Sequence, residues 1–190
     1  MLVGLISDTH IPEAAPDLWP QAYARLAEAD LILHAGDVHT LETVDRLGEL
    51  APIYVARGNG DDGGAGRPVM PEDDRLREAW ALEIEGFRVG LTHDVSLPEN
   101  PPRRTIHTVM EHYFGGPQQI VVYGHTHVAS ISTLRGVLLI NPGSPTYPRN
   151  LNTRLGTLGF MEIVDGGVRA WLEQLDEGGS YVVREQPRYG

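Results

Sequence analysis

No cysteine occurs anywhere in the 190 residues. Disulfides, thiolate zinc sites, iron–sulfur clusters and a cysteine nucleophile are therefore excluded, and any metal must be held by nitrogen and oxygen. Lysine is missing too: all 15 basic residues are arginines, set against 26 acidic ones, for a formal charge of −11. A chain this acidic is a poor binder of duplex nucleic acid, because neutralising phosphates needs a basic surface. The excess of carboxylates is either ordinary solvated surface or a set of groups that awaits divalent cations. No apolar run approaches the roughly 18 residues of a membrane span. The apolar start, Met1 to Ile6, lacks a basic flank and meets Asp8 and His10 at once. It reads as a strand and not a signal peptide, and a cytoplasmic location is the default expectation. Repeats, low-complexity tracts and linkers are also lacking, so the 41% hydrophobic content suits one domain, 1–190, with a sizeable core.

What is present alternates in the first third of the chain. Leu2–Ser7, Leu31–Ala35 and Ile53–Ala56 are short apolar runs, as expected of strands buried on both faces. Between them Asp17–Glu28 (Leu18, Ala22, Leu26, Ala29) and Thr40–Leu50 (Leu41, Val44, Leu47, Leu50) carry helical spacing, with Thr40 placed as an N-cap. Strand–helix–strand–helix–strand with short connections predicts a parallel sheet. The remainder reads as mainly antiparallel. Hairpins are expected at Trp80–Ile84 with Arg88–Thr92, at Ile131–Leu134 with Val137–Ile140, and at Thr157–Val164 with Val168–Leu175. A helix over Thr105–Phe114, a strand over Ile120–Tyr123 and a last strand over Tyr181–Arg184 complete the pattern, while Asp62–Asp74 and Asp94–Arg104 are loops rich in Gly, Pro and acidic residues. The expected fold class is α/β, with two packed sheets and helices outside. The C-terminal strands leave an edge on which a homodimer could pair.

Chemistry collects where the strands stop. Asp8-x-His10, Gly36-Asp37, Gly58-Asn59, His93 and Gly124-His125-x-His127 each follow the end of an apolar run. In open α/β sheets, ligands bind at the carboxyl ends of the strands. Seven nitrogen and oxygen donors (Asp8, His10, Asp37, Asn59, His93, His125 and His127) thus arrive at one rim. Taken singly, each has an ordinary reading: Asp37 as a turn or helix-start residue, Asn59 as a turn between glycines, His93 as a satisfied histidine. The whole set in this order is hard to explain as structure alone. Mixed imidazole and carboxylate donors without sulfur fit Mn²⁺, Fe or Zn²⁺.

This ordered set resembles the calcineurin-like metallophosphoesterases over roughly Leu2 to Asn150. Within them it is most like the small bacterial and archaeal phosphodiesterases, which carry an Asn-Pro-Gly-Ser loop like Asn141–Ser144. The resemblance implies a two-sheet β-sandwich with flanking helices and two divalent metal ions. Asp8, His10, Asp37 and His127 would hold the first, and Asn59, His93 and His125 the second, with Asp37 bridging. Mn²⁺ is the first expectation, with Fe, Zn²⁺, Ni²⁺ or Mg²⁺ as alternatives. The implied reaction is hydrolysis of a small phosphodiester by a hydroxide between the metals, with Asp37, Asn59 and His93 as the catalytic core.

Two departures from the family pattern bear on function. Many members have a histidine after the Asn, placed to help the leaving group; Gly60 stands there in this chain, which predicts slow hydrolysis of monoesters and a preference for diesters. The family often has Gly after the strand-end histidine, where this chain has Asp94, either an acceptor that orients an imidazole or a loop residue. Arg57, Arg149 and His39 are candidates for binding substrate, with surface ion pairs or a helix start as their ordinary readings. Asp61 is expected to brace its loop, His34 to be buried and structural, His107 and His112 to be solvated. The competing functions are a phosphomonoesterase or nucleotide phosphatase, and a non-catalytic protein-binding module on the same fold.

Overall fold

A computed structural model describes residues 1–149 and 155–190; Asn150, where the resemblance ends, lies outside them. The first part alternates as expected: β1 (Leu2–Ile6), α1 (Pro20–Leu26), β2 (Leu31–His34), α2 (Leu41–Gly48) and β3 (Ile53–Ala56). β1, β2 and β3 pair in parallel, with Leu5 opposite Leu33 and Leu33 opposite Tyr54. β4 (Leu76–Arg77) extends this sheet beyond β3, and β10 (Thr157–Val164), β11 (Gly167–Asp176) and β12 (Gly179–Tyr189) extend it antiparallel beyond β1. The second sheet contains β5 (Ala79–Ile84), β6 (Phe87–Thr92), β7 (Ile120–Val122), β8 (Ser130–Leu134) and β9 (Val137–Asn141), in the order β5-β6-β7-β9-β8. The helix α3 (Ile106–Phe114) connects β6 to β7.

The two-sheet sandwich with helices outside follows from the side-chain alternation of each strand. Val3, Leu5 and Leu33 point between the sheets, against Val89, Leu91, Ile120, Val122, Leu138 and Ile140. The intervening Ile6 and Ile32 point outward and are covered by Ala22 and Leu26 of α1 and by Val44 and Leu47 of α2. On the second sheet Val121 and Tyr123 point outward onto Ile106 and Met110 of α3. These strands are apolar throughout because both faces are covered, and each fully buried Leu or Ile contributes about 1.5–3 kcal/mol.

Differences from the expected elements have local causes. α1 begins at Pro20 and not at Asp17, because a residue before proline avoids the helical region; Trp19 is extended, at ψ 141°. Asp17 instead closes a turn, accepting from the Leu18 N–H at 2.8 Å. Thr40 does occupy the N-cap of α2, but its hydroxyl pairs with that of Thr43 at 3.0 Å and caps no backbone group. The two-residue β4 is too short to leave a periodic signal. β12 runs for 11 residues, well past the expected Arg184, because it pairs along β11 through its backbone while Tyr181, Val182 and Val183 stay half-exposed. This strand is the open edge expected near the C-terminus. The second half is also less antiparallel than expected: β7 pairs in parallel with both β6 and β9. The carboxyl ends of β6 and β7 therefore lie on one edge, as do those of β1, β2 and β3. No described helix is long and apolar enough to cross a membrane.

Phe160 anchors the outer face of the first sheet: it is fully buried, stacks on Trp171 at 5.6 Å between ring centroids, and lies under the Arg25 guanidinium at 4.8 Å. Phe160→Ala should cost about 3–5 kcal/mol in urea unfolding. A loss below about 1 kcal/mol would mean that this face is not a packed core.

Candidate metal centre

Backbone bonds join neighbouring strand ends into one rim. Past β1 and β2, the Asp8 N–H donates to Gly36 O at 2.9 Å and the His10 N–H to Asp37 O at 3.0 Å. Asp61, fully buried, holds the exits of β2 and β3 together. One carboxylate oxygen accepts from the N–H groups of Asp37 (2.9 Å) and Gly58 (2.8 Å), the other from those of Val38 (2.9 Å) and His39 (2.8 Å). Burial raises the Asp61 pKa above the ordinary aspartate value, and the backbone donors oppose that rise. Past β6 and β7, the Gly124 N–H donates to His93 O at 2.9 Å. The Asn141–Ser144 loop then ties the two sheets together. Asn141 donates to Gly124 O at 2.8 Å, Ser144 to Asp8 O at 2.7 Å, and Ser7 to Gly143 O at 2.6 Å.

The rim is held in an unusual backbone state. Asp8, His10, Asp37, His39, His125 and His127 all have positive φ, between 46° and 76°. Each non-glycine residue in that region costs on the order of 1 kcal/mol, and such residues cluster at functional sites. Glycine is required where the exits cross most closely. A Cβ on Gly58 would lie 2.1 Å from Asp37 Oδ1, and one on Gly124 would lie 2.7 Å from Asp8 Oδ2.

The side chains converge on this rim. His127 Nε2 lies 3.5 Å from Asp8 Oδ1, His10 Nε2 lies 3.5 Å from Asp37 Oδ2, and His93 Nε2 lies 3.6 Å from the same Asp37 oxygen. His125 Nδ1 is 3.2 Å from His93 Nε2. His93 Nδ1 is 2.7 Å from Ala35 O, and His127 Nδ1 is 2.7 Å from Tyr147 O. A carbonyl can only accept, so both Nδ1 atoms carry the hydrogen and both Nε2 atoms present a lone pair to the rim. Among the described residues, both oxygens of Asp8 and Nε2 of His10 are buried with no hydrogen-bond partner. Unpaired buried acceptors are costly, and a carboxylate more so than most.

Three sets of donor atoms lie within 4.8 Å of one another: Asp8, His10 and His127; His10, Asp37 and His39; and Asp8, Asp37 and His93. Carboxylate oxygens and imidazole nitrogens that converge this closely are what a bound cation would neutralise, so these residues fit divalent metal. Burial pushes the Asp8 pKa up, but the His10 side chain, the charge of His93 and His127 when protonated and the Ser7 hydroxyl outweigh it, so the carboxyl lies below the ordinary aspartate value. Burial lowers the His127 pKa, which keeps that ring neutral and free to ligate.

Asn59 is exposed, and with Arg57, His93 and His125 it lines a cavity of about 330 Å³. The Arg57 guanidinium donates to Met70 O (2.7 Å) and Pro71 O (3.0 Å), so it clamps the following loop while facing that cavity. Arg149 is exposed beside the rim, its N–H on His127 O at 3.0 Å. The Asp94 carboxylate accepts from the N–H (2.7 Å) and hydroxyl (3.0 Å) of Ser96. It shapes its loop, and the acceptor that orients His93 is Ala35 O. Asp61 braces the rim, His34 is fully buried, and His107 and His112 are exposed, each as its sequence context suggests. Four contributors escape sequence reading: Glu13, with a carboxylate oxygen 2.7 Å from His39 Nδ1; Ser144; Thr146, whose hydroxyl donates to Thr9 O at 2.6 Å; and the Tyr147 carbonyl. The Asn-Pro-Gly-Ser loop is the one sequence signal that pointed to any of them.

Residues 1–166 match the model of the calcineurin-like phosphoesterase superfamily domain. A probable metallophosphoesterase of Methanothermobacter thermautotrophicus is 38% identical over 149 residues, covering 78% of this chain and 80% of the relative. Another, from Methanocaldococcus jannaschii, is 35% identical over 150 residues, covering 78% of this chain and 70% of the relative. Among solved structures, Vacuolar Protein Sorting 29 of Cryptosporidium parvum matches with a TM-score of 0.75 at 24% identity, covering 98% of this chain and 97% of that one; the likeness is one of fold.

His34 lies just behind the rim and makes the pH dependence testable. Its Nδ1 accepts from the Gly36 N–H at 3.1 Å, so the hydrogen sits on Nε2, facing Thr9 Oγ1 at 3.2 Å. Burial lowers its pKa from 6.5 to about 3. Between those values the unfolded chain binds a proton that the native chain refuses. Its contribution is therefore complete above pH 6.5 and drains away as the pH falls toward about 3. In metal-free protein, the unfolding free energy should fall by up to about 1.4 kcal/mol per pH unit from this one site. His34→Gln should flatten that slope between about pH 6 and 4 in denaturant titrations; an unchanged slope would mean that native His34 is already protonated.

Proposed function

The chain belongs to the calcineurin-like phosphoesterase superfamily, and from that premise we propose that it is a phosphodiesterase dependent on two divalent cations. The observation that carries this reading is the convergence of Asp8, His10, Asp37, His93 and His127 with lone pairs facing one another and buried acceptors left unpaired. Asp8, His10, Asp37 and His127 would hold one cation, and Asp37, Asn59, His93 and His125 the other. Bound there, the cations would supply neutralisation of phosphoryl charge and a water made acidic near neutral pH. Mn²⁺ is the metal proposed, with Fe, Zn²⁺, Ni²⁺ and Mg²⁺ as the alternatives to compare.

The protein's own part is to hold these donors rigid and to shape the approach. Ala35 O and Tyr147 O fix the tautomers of His93 and His127, so neither ring needs to reorient when it ligates. Besides the cavity at Asn59, further cavities reach rim residues. One, of about 620 Å³, is lined by the Asp94–Asn100 loop, Arg104, Tyr123 and His125. Another, of about 260 Å³, is lined by Glu13, His39, Gly60, Arg67 and the loop to Pro71. Room beside His125 and beside His39 would accommodate ester arms of a bound phosphate. Gly60 offers no group to protonate a leaving alkoxide, which favours diesters over unactivated monoesters. Arg149, beside His127, is proposed to meet a phosphoryl oxygen. A protein-interaction scaffold would not need the full donor set, and all seven donors are present.

Steady-state kinetics with Mn²⁺ on an aryl phosphodiester and the matching monoester test the preference. The diester should be favoured in kcat/KM by on the order of a hundredfold. Equal or reversed rates would sink the diester reading and leave a monoesterase. Activity should disappear on chelation and return with Mn²⁺; activity that survives chelation would contradict the need for metal.

A further inference from the structure

A fifth imidazole reaches the rim. His39 lies two residues past Asp37, its N–H bonded to Asp61 Oδ1 at 2.8 Å and its backbone left-handed at φ 76°. Its side chain is only 3% exposed, and its ring packs edge-on against that of His10 at 4.4 Å between centroids. Nδ1 lies 2.7 Å from Glu13 Oε2. A carboxylate can only accept, so Nδ1 carries the hydrogen and Nε2 offers a lone pair. That Nε2 is buried and, among the described residues, has no hydrogen-bond partner. A ring nitrogen of His39, one of His10 and a carboxylate oxygen of Asp37 lie within 4.8 Å of one another. Gly60 makes room for it, since a Cβ there would come within 2.4 Å of His39 Nε2.

We propose that His39 is a direct ligand of the cation held by His10 and Asp37, added to the set Asp8, His10, Asp37 and His127, with Glu13 as the carboxylate that orients it. The inference rests on the metal reading above. The pairing of Glu13 with the far nitrogen is the arrangement by which carboxylates fix ligating histidines. One consequence concerns selectivity. A further imidazole favours Zn²⁺, Ni²⁺ or Fe²⁺ over Mn²⁺ and Mg²⁺ at this position. Glu13 also receives Arg67 Nε at 3.3 Å, which links the Gly63–Arg67 turn to the ligand.

The test is a metal titration that does not depend on turnover. Metal-free wild type, His39→Ala and Glu13→Gln are titrated with Zn²⁺ and with Mn²⁺ against a chromophoric chelator, and the Co²⁺-loaded forms are compared by visible absorption. Wild type should bind two ions. His39→Ala should weaken one of them at least tenfold for Zn²⁺, and less for Mn²⁺, and alter the Co²⁺ spectrum. Glu13→Gln should weaken the same ion by roughly 10–100-fold; because Glu13 is half-exposed, this variant decides the matter if His39→Ala does not fold. Unchanged affinities and spectrum would overturn the ligand role, even if kcat fell, and would point to substrate contact instead. A wild type that binds no divalent ion would overturn the metal reading itself.

Discussion

The carboxylate of Asp8 is sealed between two sheets with no hydrogen-bond donor on either oxygen among the described residues. In a metal-free interior such a group would be expected to protonate, to recruit an N–H or to reach water. Among the described residues no N–H reaches it, and the imidazoles of His10 and His127 are arranged around it. The rest of the molecule can be understood as what is needed to maintain that arrangement. Parallel pairing of β1, β2 and β3, and of β6 with β7, sends five strand ends to one edge. Gly58 and Gly124 let those ends approach more closely than any side chain would allow.

Support for the centre is mostly electrostatic and local. Asp61 uses both oxygens to gather four N–H groups, and so converts two separate strand exits into one rigid ledge. Asn141, Ser144 and Ser7 do the corresponding work between the sheets. The carbonyls of Ala35 and Tyr147 decide which nitrogen of His93 and His127 faces the centre. The left-handed backbone at six rim residues is sustained because so many fixed partners surround it.

Much of this was legible in the sequence, for a physical reason. A strand buried on both faces announces itself as an apolar run, and the polar residues that follow such a run sit at the sheet edge. Asp8, Asp37, His93 and His127 could therefore be placed without coordinates. β4 and the far end of β12 could not, because pairing there rests on backbone bonds and leaves no burial pattern. The parallel setting of β7 was hidden by the hairpin-like sequences around it. His39 was ambiguous because its position two residues past Asp37 fits a helix start equally well; the left-handed turn at His39 and the seating of its ring over Gly60 show it directed inward. Glu13 lies in a loop whose sequence carries no sign of a partner at all.

The central claim is that this rim holds two divalent cations. Crystals grown metal-free and soaked in Mn²⁺, with data collected near the manganese absorption edge, test it most directly. The account predicts two anomalous peaks about 3.5–4 Å apart, one among Asp8, His10 and His127 and the other against His93 and His125, with Asp37 between them. A single peak, or peaks away from these side chains, would contradict it.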